Sequence, residues 1–238
     1  MTKLSVNVNK IATLRNARGE NNPDVLHMAL LIQSLGAHGI TVHPRPDERH
    51  IKKSDVFALK KNLTVEFNVE GYPSSDFIDL MLEIRPEQIT LVPDPPDVLT
   101  SDAGFKLTDD FALVCDAIAR LKPSGSRISL FIDPKDFVDR PLDVIAQTGA
   151  HRIELYTKAF AENPHCPTTL ARYQNVAMRA HKLGLGINAG HDLSLDNLGI
   201  LLSATPQIAE VSIGHALICD ALVLGMPEVI KRYLKAVS

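Results

Sequence analysis

The chain has 238 residues, of which 45% are hydrophobic and 22% charged, and a formal net charge of -3 at pH 7. These proportions exclude a disordered chain and a fibrous repeat, and the near-neutral charge, with no block of like charges, excludes the basic footprint of a nucleic-acid-binding protein. No apolar run approaches the ~20 residues that span a bilayer, and Met1 to Val8 lacks the apolar stretch of a signal peptide. Cys115, Cys166 and Cys219 are odd in number, widely spaced and without a C-x-x-C pair, so neither a disulfide framework nor a zinc site is expected and the reducing cytoplasm is the expected compartment.

Short β-branched runs alternate with longer amphipathic segments along the whole chain, the pattern of βα units around a parallel sheet. The first strand is expected at Leu4 to Val8. A helix follows near Pro23 to Leu35, where Val25, Met28, Ala29 and Ile32 recur at three- and four-residue spacing and Gly36 stops it. Strands two to four are expected at Gly39 to His43, Thr64 to Val69 and Gln88 to Val92. The Asp- and Pro-rich stretch Pro93 to Leu107 reads as a functional loop over a barrel mouth, with Pro93 to Asp110 as the mobile segment. Strands five and six are expected at Arg127 to Ile132 and Arg152 to Tyr156. A helix near Thr168 to Leu183 then carries Leu170, Tyr173, Val176 and Ala177 on one side and stops at Gly184. Strands seven and eight are expected at Gly186 to Ala189 and Glu210 to Ile213. The runs Ile89-Thr90-Leu91-Val92 and Ile128-Ser129-Leu130-Phe131-Ile132 are nearly all apolar, as in a parallel sheet covered on both faces. Eight such pairs without a linker predict an α/β fold of one domain over residues 1–238, a (β/α)8 TIM barrel.

In such a barrel the C-terminal strand ends converge on one pocket. Here those ends carry Asn7 and Asn9, His43, Arg45 and His50, Asn68 and Glu70, Pro93 and Asp94, Asp133, Glu154 and Thr157, His191, and His215. Asp133 stands before Pro134 and reads as a helix cap. His43, Glu70 and His191 bring two imidazoles and a carboxylate from three strands toward one pocket, a set suited to proton transfer near neutral pH. Gly190-His191 and Gly214-His215 each mark a strand giving way to a helix, where backbone N–H groups can approach a phosphate. Arg18 and Arg45 offer guanidinium forks for a second anion. Three other readings stay open on these residues alone. One is a Schiff-base aldolase using Lys158 after Tyr156-Thr157; another is a metal-dependent hydrolase, for which strand one lacks the usual paired histidines; the last is a barrel that only binds phosphorylated ligands.

Several blocks resemble the pyridoxine 5'-phosphate synthase family from Leu4 to about Val229: Ile11-Ala12-Thr13-Leu14-Arg15-Asn16-Ala17-Arg18-Gly19, Gly39-Ile40-Thr41-Val42-His43-Pro44-Arg45, Arg49-His50-Ile51, Leu91-Val92-Pro93, Ser129-Leu130-Phe131-Ile132-Asp133, Asn188-Ala189-Gly190-His191 and Ile213-Gly214-His215-Ala216. The resemblance implies condensation of 3-amino-2-oxopropyl phosphate with 1-deoxy-D-xylulose 5-phosphate to pyridoxine 5'-phosphate, phosphate and water, with no metal or organic cofactor. It implies His43 and Glu70 as proton acceptors and His191 as proton donor. Asn7, Arg18, Asp192, Gly214 and His215 match positions that hold the aminoketone phosphate, and Arg45, His50 and Thr100 those that hold the pentulose phosphate. It also implies a homo-octamer, a tetramer of dimers, with Asn21 to His27 at an interface. The chain departs from the family pattern at Asn9 and Lys10, which replace an Asp-His pair associated with the pentulose phosphate. Lys10 is expected to supply a positive charge there. Asp192 replaces a glycine and is expected to serve through its backbone N–H.

Overall fold

Successive residues of a strand point to opposite faces, and in this chain the two faces differ chemically. In β1 (Lys3–Asn7), Leu4 and Val6 are fully buried among apolar side chains, whereas the hydroxyl of Ser5 hydrogen-bonds that of Thr41 in β2 (Gly39–Val42) at 2.7 Å. β3 (Glu66–Gly71) continues the pattern: Phe67 and Val69 enter the core, and Asn68 donates to Thr41 Oγ1 at 3.3 Å. In β4 (Gln88–Leu91) the Thr90 hydroxyl donates to Asn68 Oδ1 at 3.0 Å. β5 (Arg127–Ile132), β6 (Arg152–Tyr156), β7 (Gly186–Gly190) and β8 (Ile208–Ile213) follow. Each strand pairs in parallel with the next, and β8 returns to β1, so the sheet closes in sequence order. This is the expected (β/α)8 barrel, and each strand begins and ends within two residues of its expected place. The structure is a computed structural model and describes residues 1–93, 103–138 and 141–238.

Branched apolar side chains fill the interior of most such barrels; here the interior face is largely polar. At its N-terminal end Arg127 pairs with Glu66 and donates to Gln88 at 3.0 Å, and Arg152 donates to Asn188 at 2.8 Å. Glu210 sits in this layer, its carboxyl pushed up to about 8 by burial and by the neighbouring Glu66. The apolar face of each strand packs outward against the helices, so the main hydrophobic core lies between barrel and helices. The apolar runs of β4 and β5 therefore divide: Ile89, Leu91, Ile128, Leu130 and Ile132 join that core, while Val92 and Phe131 form a separate small cluster with Tyr156.

The helices are α1 (Asn9–Asn16), α2 (Val25–Ser34), α3 (Lys53–Asn62), α4 (Ser75–Ile84), α5 (Phe111–Leu121), α6 (Asp143–Gln147), α7 (Lys158–Glu162), α8 (Pro167–Lys182), α9 (Leu198–Ala204), α10 (His215–Leu224) and α11 (Met226–Val237). α2 buries Val25, Ala29 and Ile32, with Met28 packed partly against them, and Asp24 caps it by accepting from His27 N at 3.0 Å. α8 buries Tyr173, Val176 and Ala177, with Leu170 at the margin. Asp133 does cap: its carboxylate accepts from Lys135 N at 3.0 Å at the start of a short 3-10 turn, Pro134–Phe137.

Sequence periodicity gives one helix per strand, but β1, β6 and β8 are each followed by two. The additional helices α1 and α7 are short and carry few apolar residues, so there is little periodicity to read. They matter because α1, α7 and α10 begin directly beyond their strands and their first residues stand at the barrel mouth. Most of the predicted loop, including Asp94 and Thr100, lies outside the described residues. Among those described, no helix is long and apolar enough to cross a membrane.

Candidate active site

A cavity of about 1020 Å³ opens at the C-terminal end of the barrel, the end where parallel barrels carry their sites. His43, Glu70 and His191 all line it, so the three strands bring the predicted acid and base groups together. Two asparagines link Glu70 and His43 to the end of β1. Asn7 donates from Nδ2 to Glu70 Oε2 at 3.4 Å and accepts from Asn9 N at 3.0 Å, while Asn9 Oδ1 accepts from His43 N at 2.9 Å. Asn9 thus ties the end of β1 to the end of β2. Asn9 itself lines the cavity, with its oxygen bonded to the backbone of His43.

The loop after β2 is held from behind. Arg15 of α1, almost fully buried, pairs with Asp55 at 2.6 Å and donates to His50 O at 3.0 Å; Asn16 donates to the same carbonyl at 2.8 Å. This explains the Arg15-Asn16 pair of the sequence motif, which lies outside the cavity yet fixes the loop that carries Arg45, Arg49 and His50 into it. Lys10, at the start of α1, adds a further exposed cation to the wall.

Charge and burial set the protonation of this wall. His43 is held down to about 3, first by burial and then by His50, Arg45 and Arg49. His50 is lowered to about 4 by burial, with Arg45 and Lys10 adding to it. Its Nδ1 accepts from Ile51 N at 2.9 Å, which places the proton of the neutral ring on Nε2. The two rings stand edge-on with centroids 6.3 Å apart. Near pH 7 both imidazoles are neutral.

The opposite wall supplies a group the sequence reading named at a strand end without selecting it. Glu154 of β6 is buried, and its carboxyl is pushed up to about 7 by that burial, against the opposing influence of His191 and of a 3.5 Å hydrogen bond from Thr90. The signal was present in Ile153-Glu154-Leu155: a carboxylate alternating with buried aliphatics must face the barrel interior. Phe131, Tyr156 and His191 meet in series, the first pair tilted and the second edge-on, with centroids 5.3 Å and 5.2 Å apart.

Of the other predicted residues, Gly214 and His215 line the cavity where β8 meets α10, and a β-carbon on Gly214 would stand 3.0 Å from Asn7 Cβ. Asp192 lines it too, but its backbone N–H donates to the Thr157 hydroxyl at 3.1 Å. Arg18 is exposed beyond α1 and is not part of the cavity wall. Lys158, the residue of the aldolase reading, lies on the wall at the first position of α7. Among the described residues no group of three or more His, Cys, Asp or Glu side chains is placed to hold a metal ion.

A family model described as pyridoxal phosphate biosynthesis protein PdxJ matches residues 4–238. The chain belongs to the PdxJ family. A curated relative from Porphyromonas gingivalis, a pyridoxine 5'-phosphate synthase, is 56% identical over 98% of this chain and 98% of its own length. Relatives of the same name from Christiangramia forsetii and Phocaeicola vulgatus are 52% and 49% identical, again over 98–99% of both chains. A solved chain from Aquifex aeolicus VF5 superposes with a TM-score of 0.65 over 99% of this chain and 93% of that one; at 13% identity it speaks to the barrel alone. The PdxJ assignment accounts for the sequence blocks quoted above, which lie in or behind the cavity as far as they are described.

Proposed function

We propose that the protein is a pyridoxine 5'-phosphate synthase that condenses 3-amino-2-oxopropyl phosphate with 1-deoxy-D-xylulose 5-phosphate. The observation that carries this reading is the convergence of His43, Glu70, His191 and Glu154 on one cavity whose rim bears Lys10, Arg45 and Arg49. Imine formation between amine and ketone, loss of phosphate, loss of water and ring closure all move protons around one bound adduct. Neutral His43 and Glu70 accept protons, and His191 returns one to a leaving oxygen. Glu154, held near neutrality, can give or take a proton at working pH. Val92, Phe131 and Tyr156 form an apolar patch against which the growing ring can lie.

Two anions need two cationic ends. Arg45, His50 and Lys10 are assigned to the pentulose phosphate, with Thr100 of the loop after β4. Asn7, Gly214 and His215 are assigned to the aminoketone phosphate, the positive end of ten-residue α10 contributing there. No cofactor enters the scheme. The protein is read as a cytoplasmic homo-octamer, in keeping with three free cysteines and with exposed Leu222 and Val223 on α10. Light scattering that returns the mass of a single 26.1 kDa chain would remove the octamer.

The direct test incubates purified protein with both phosphorylated substrates and follows phosphate release together with the absorbance of the new pyridine ring. The reading expects both signals in the intact protein and their loss in His43→Ala and Glu70→Gln. No ring in the intact protein would overturn it.

A further inference from the structure

Asp192 makes a contact for which anion binding gives no reason. Its Oδ2 lies 2.7 Å from Nδ1 of His191, the residue before it. Neighbouring side chains seldom meet head-on, and here the backbone is turned to allow it: His191 has φ 92°, in the left-handed region that is strained for a residue with a β-carbon.

The turn is held from both sides. Fully buried Thr157 donates to Gly190 O at 2.7 Å and accepts from Asp192 N at 3.1 Å. Asn197 donates to Asp192 O at 3.1 Å and accepts from Ser194 N at 2.9 Å. The His191 ring is fixed as well by the edge of Tyr156, 5.2 Å away.

Stability does not account for this arrangement. The paired side chains are 28% and 32% exposed, and a pair so open to water contributes little to stability, less than the strain it accompanies costs. Substrate binding does not account for it either, since a carboxylate beside a phosphate repels it. The chemistry that benefits is proton donation by His191. An acceptor on Nδ1 fixes the tautomer and the orientation of the ring.

We propose that Asp192 is a positioning residue that orients His191 and sets its tautomer, doing through its carboxylate what glycine at this position cannot. The proposal rests on the reading of His191 as the proton donor.

The test compares wild type with Asp192→Asn, Asp192→Ala and Asp192→Gly, using histidine labelled with ¹⁵N and both phosphorylated substrates. In wild type, without substrate, the His191 signal is expected from the tautomer protonated on Nδ1, and in Asp192→Ala and Asp192→Gly from a mixture of tautomers. The two variants are expected to lose about 10- to 100-fold in kcat and to keep both KM values within about twofold. Asp192→Asn, which keeps an acceptor without the charge, should fall between. An unchanged tautomer in Asp192→Ala, or a raised KM with kcat intact, would overturn the proposal. His191→Ala with wild-type kcat would instead remove the donor reading, while the nitrogen spectrum still reports whether the pair forms.

Discussion

Gly190 and Glu154 are packed so closely that a β-carbon on Gly190 would lie 2.6 Å from Glu154 Oε1, with Ser212 O 3.0 Å away on the backbone side. The buried carboxyl therefore depends on the missing side chain of a neighbouring strand. Gly190→Ala is expected to displace Glu154, costing about 1–3 kcal/mol of stability and at least about tenfold in kcat. Denaturant unfolding and steady-state kinetics on the same preparation check this; a variant with wild-type kcat would show that Glu154 has room to spare.

Glu154 also predicts a pH dependence of stability. Its folded value of about 7 lies above the ordinary 4.5, so between those values the folded state holds the proton that the unfolded state has lost, and this contribution falls as pH rises through 7. Glu154→Gln keeps a neutral group at all pH values. The variant is expected to be more stable relative to wild type at pH 8.5 than at pH 5, by about 2–3 kcal/mol at most. Parallel unfolding curves at the two pH values would show that the carboxyl does not titrate there.

His43 acts in the opposite sense. Its folded value of about 3 is below the ordinary 6.5, so as pH falls from 6.5 toward 3 the unfolded state takes up a proton that the folded state refuses, and stability is lost in that window. His43→Gln should flatten the acid side of the stability profile while lowering kcat by about 10²- to 10⁴-fold. The check is urea unfolding between pH 4 and pH 7 together with ring formation at neutral pH.

Lys10 stands on the cavity wall, and its charge helps hold His50 down. Lys10→Ala is expected to raise KM for the pentulose phosphate by about tenfold, a loss of ~1.4 kcal/mol of binding, and to leave KM for the aminoketone nearly unchanged. Equal KM and kcat for variant and wild type would place Lys10 in solvent, with no part in binding.

Much of this was legible in the chain. The order of strands, their bounds and the convergence of His43, Glu70 and His191 follow from residue alternation and from the rule that parallel strands direct their C-terminal ends to one side. The same local reasoning identified Asp133 as a cap, because a cap is an interaction between near neighbours. What sequence could not decide depends on groups far apart in the chain. Asn9 reads as a strand-end residue that departs from the family motif, and only the fold shows its oxygen bonded to His43 N, 34 residues away. Glu154 reads as one polar residue among several, and only its enclosure by a closed barrel lifts it toward neutrality. The Asp192 carboxylate, next to His191 in sequence, meets it because Thr157 and Asn197 hold a strained turn between them. Periodicity and residue chemistry thus determined the barrel and which strand ends meet at its mouth. Desolvation and long-range hydrogen bonding, which arise only when the barrel closes, decided which groups carry protons, which hold others in place, and how the site is charged.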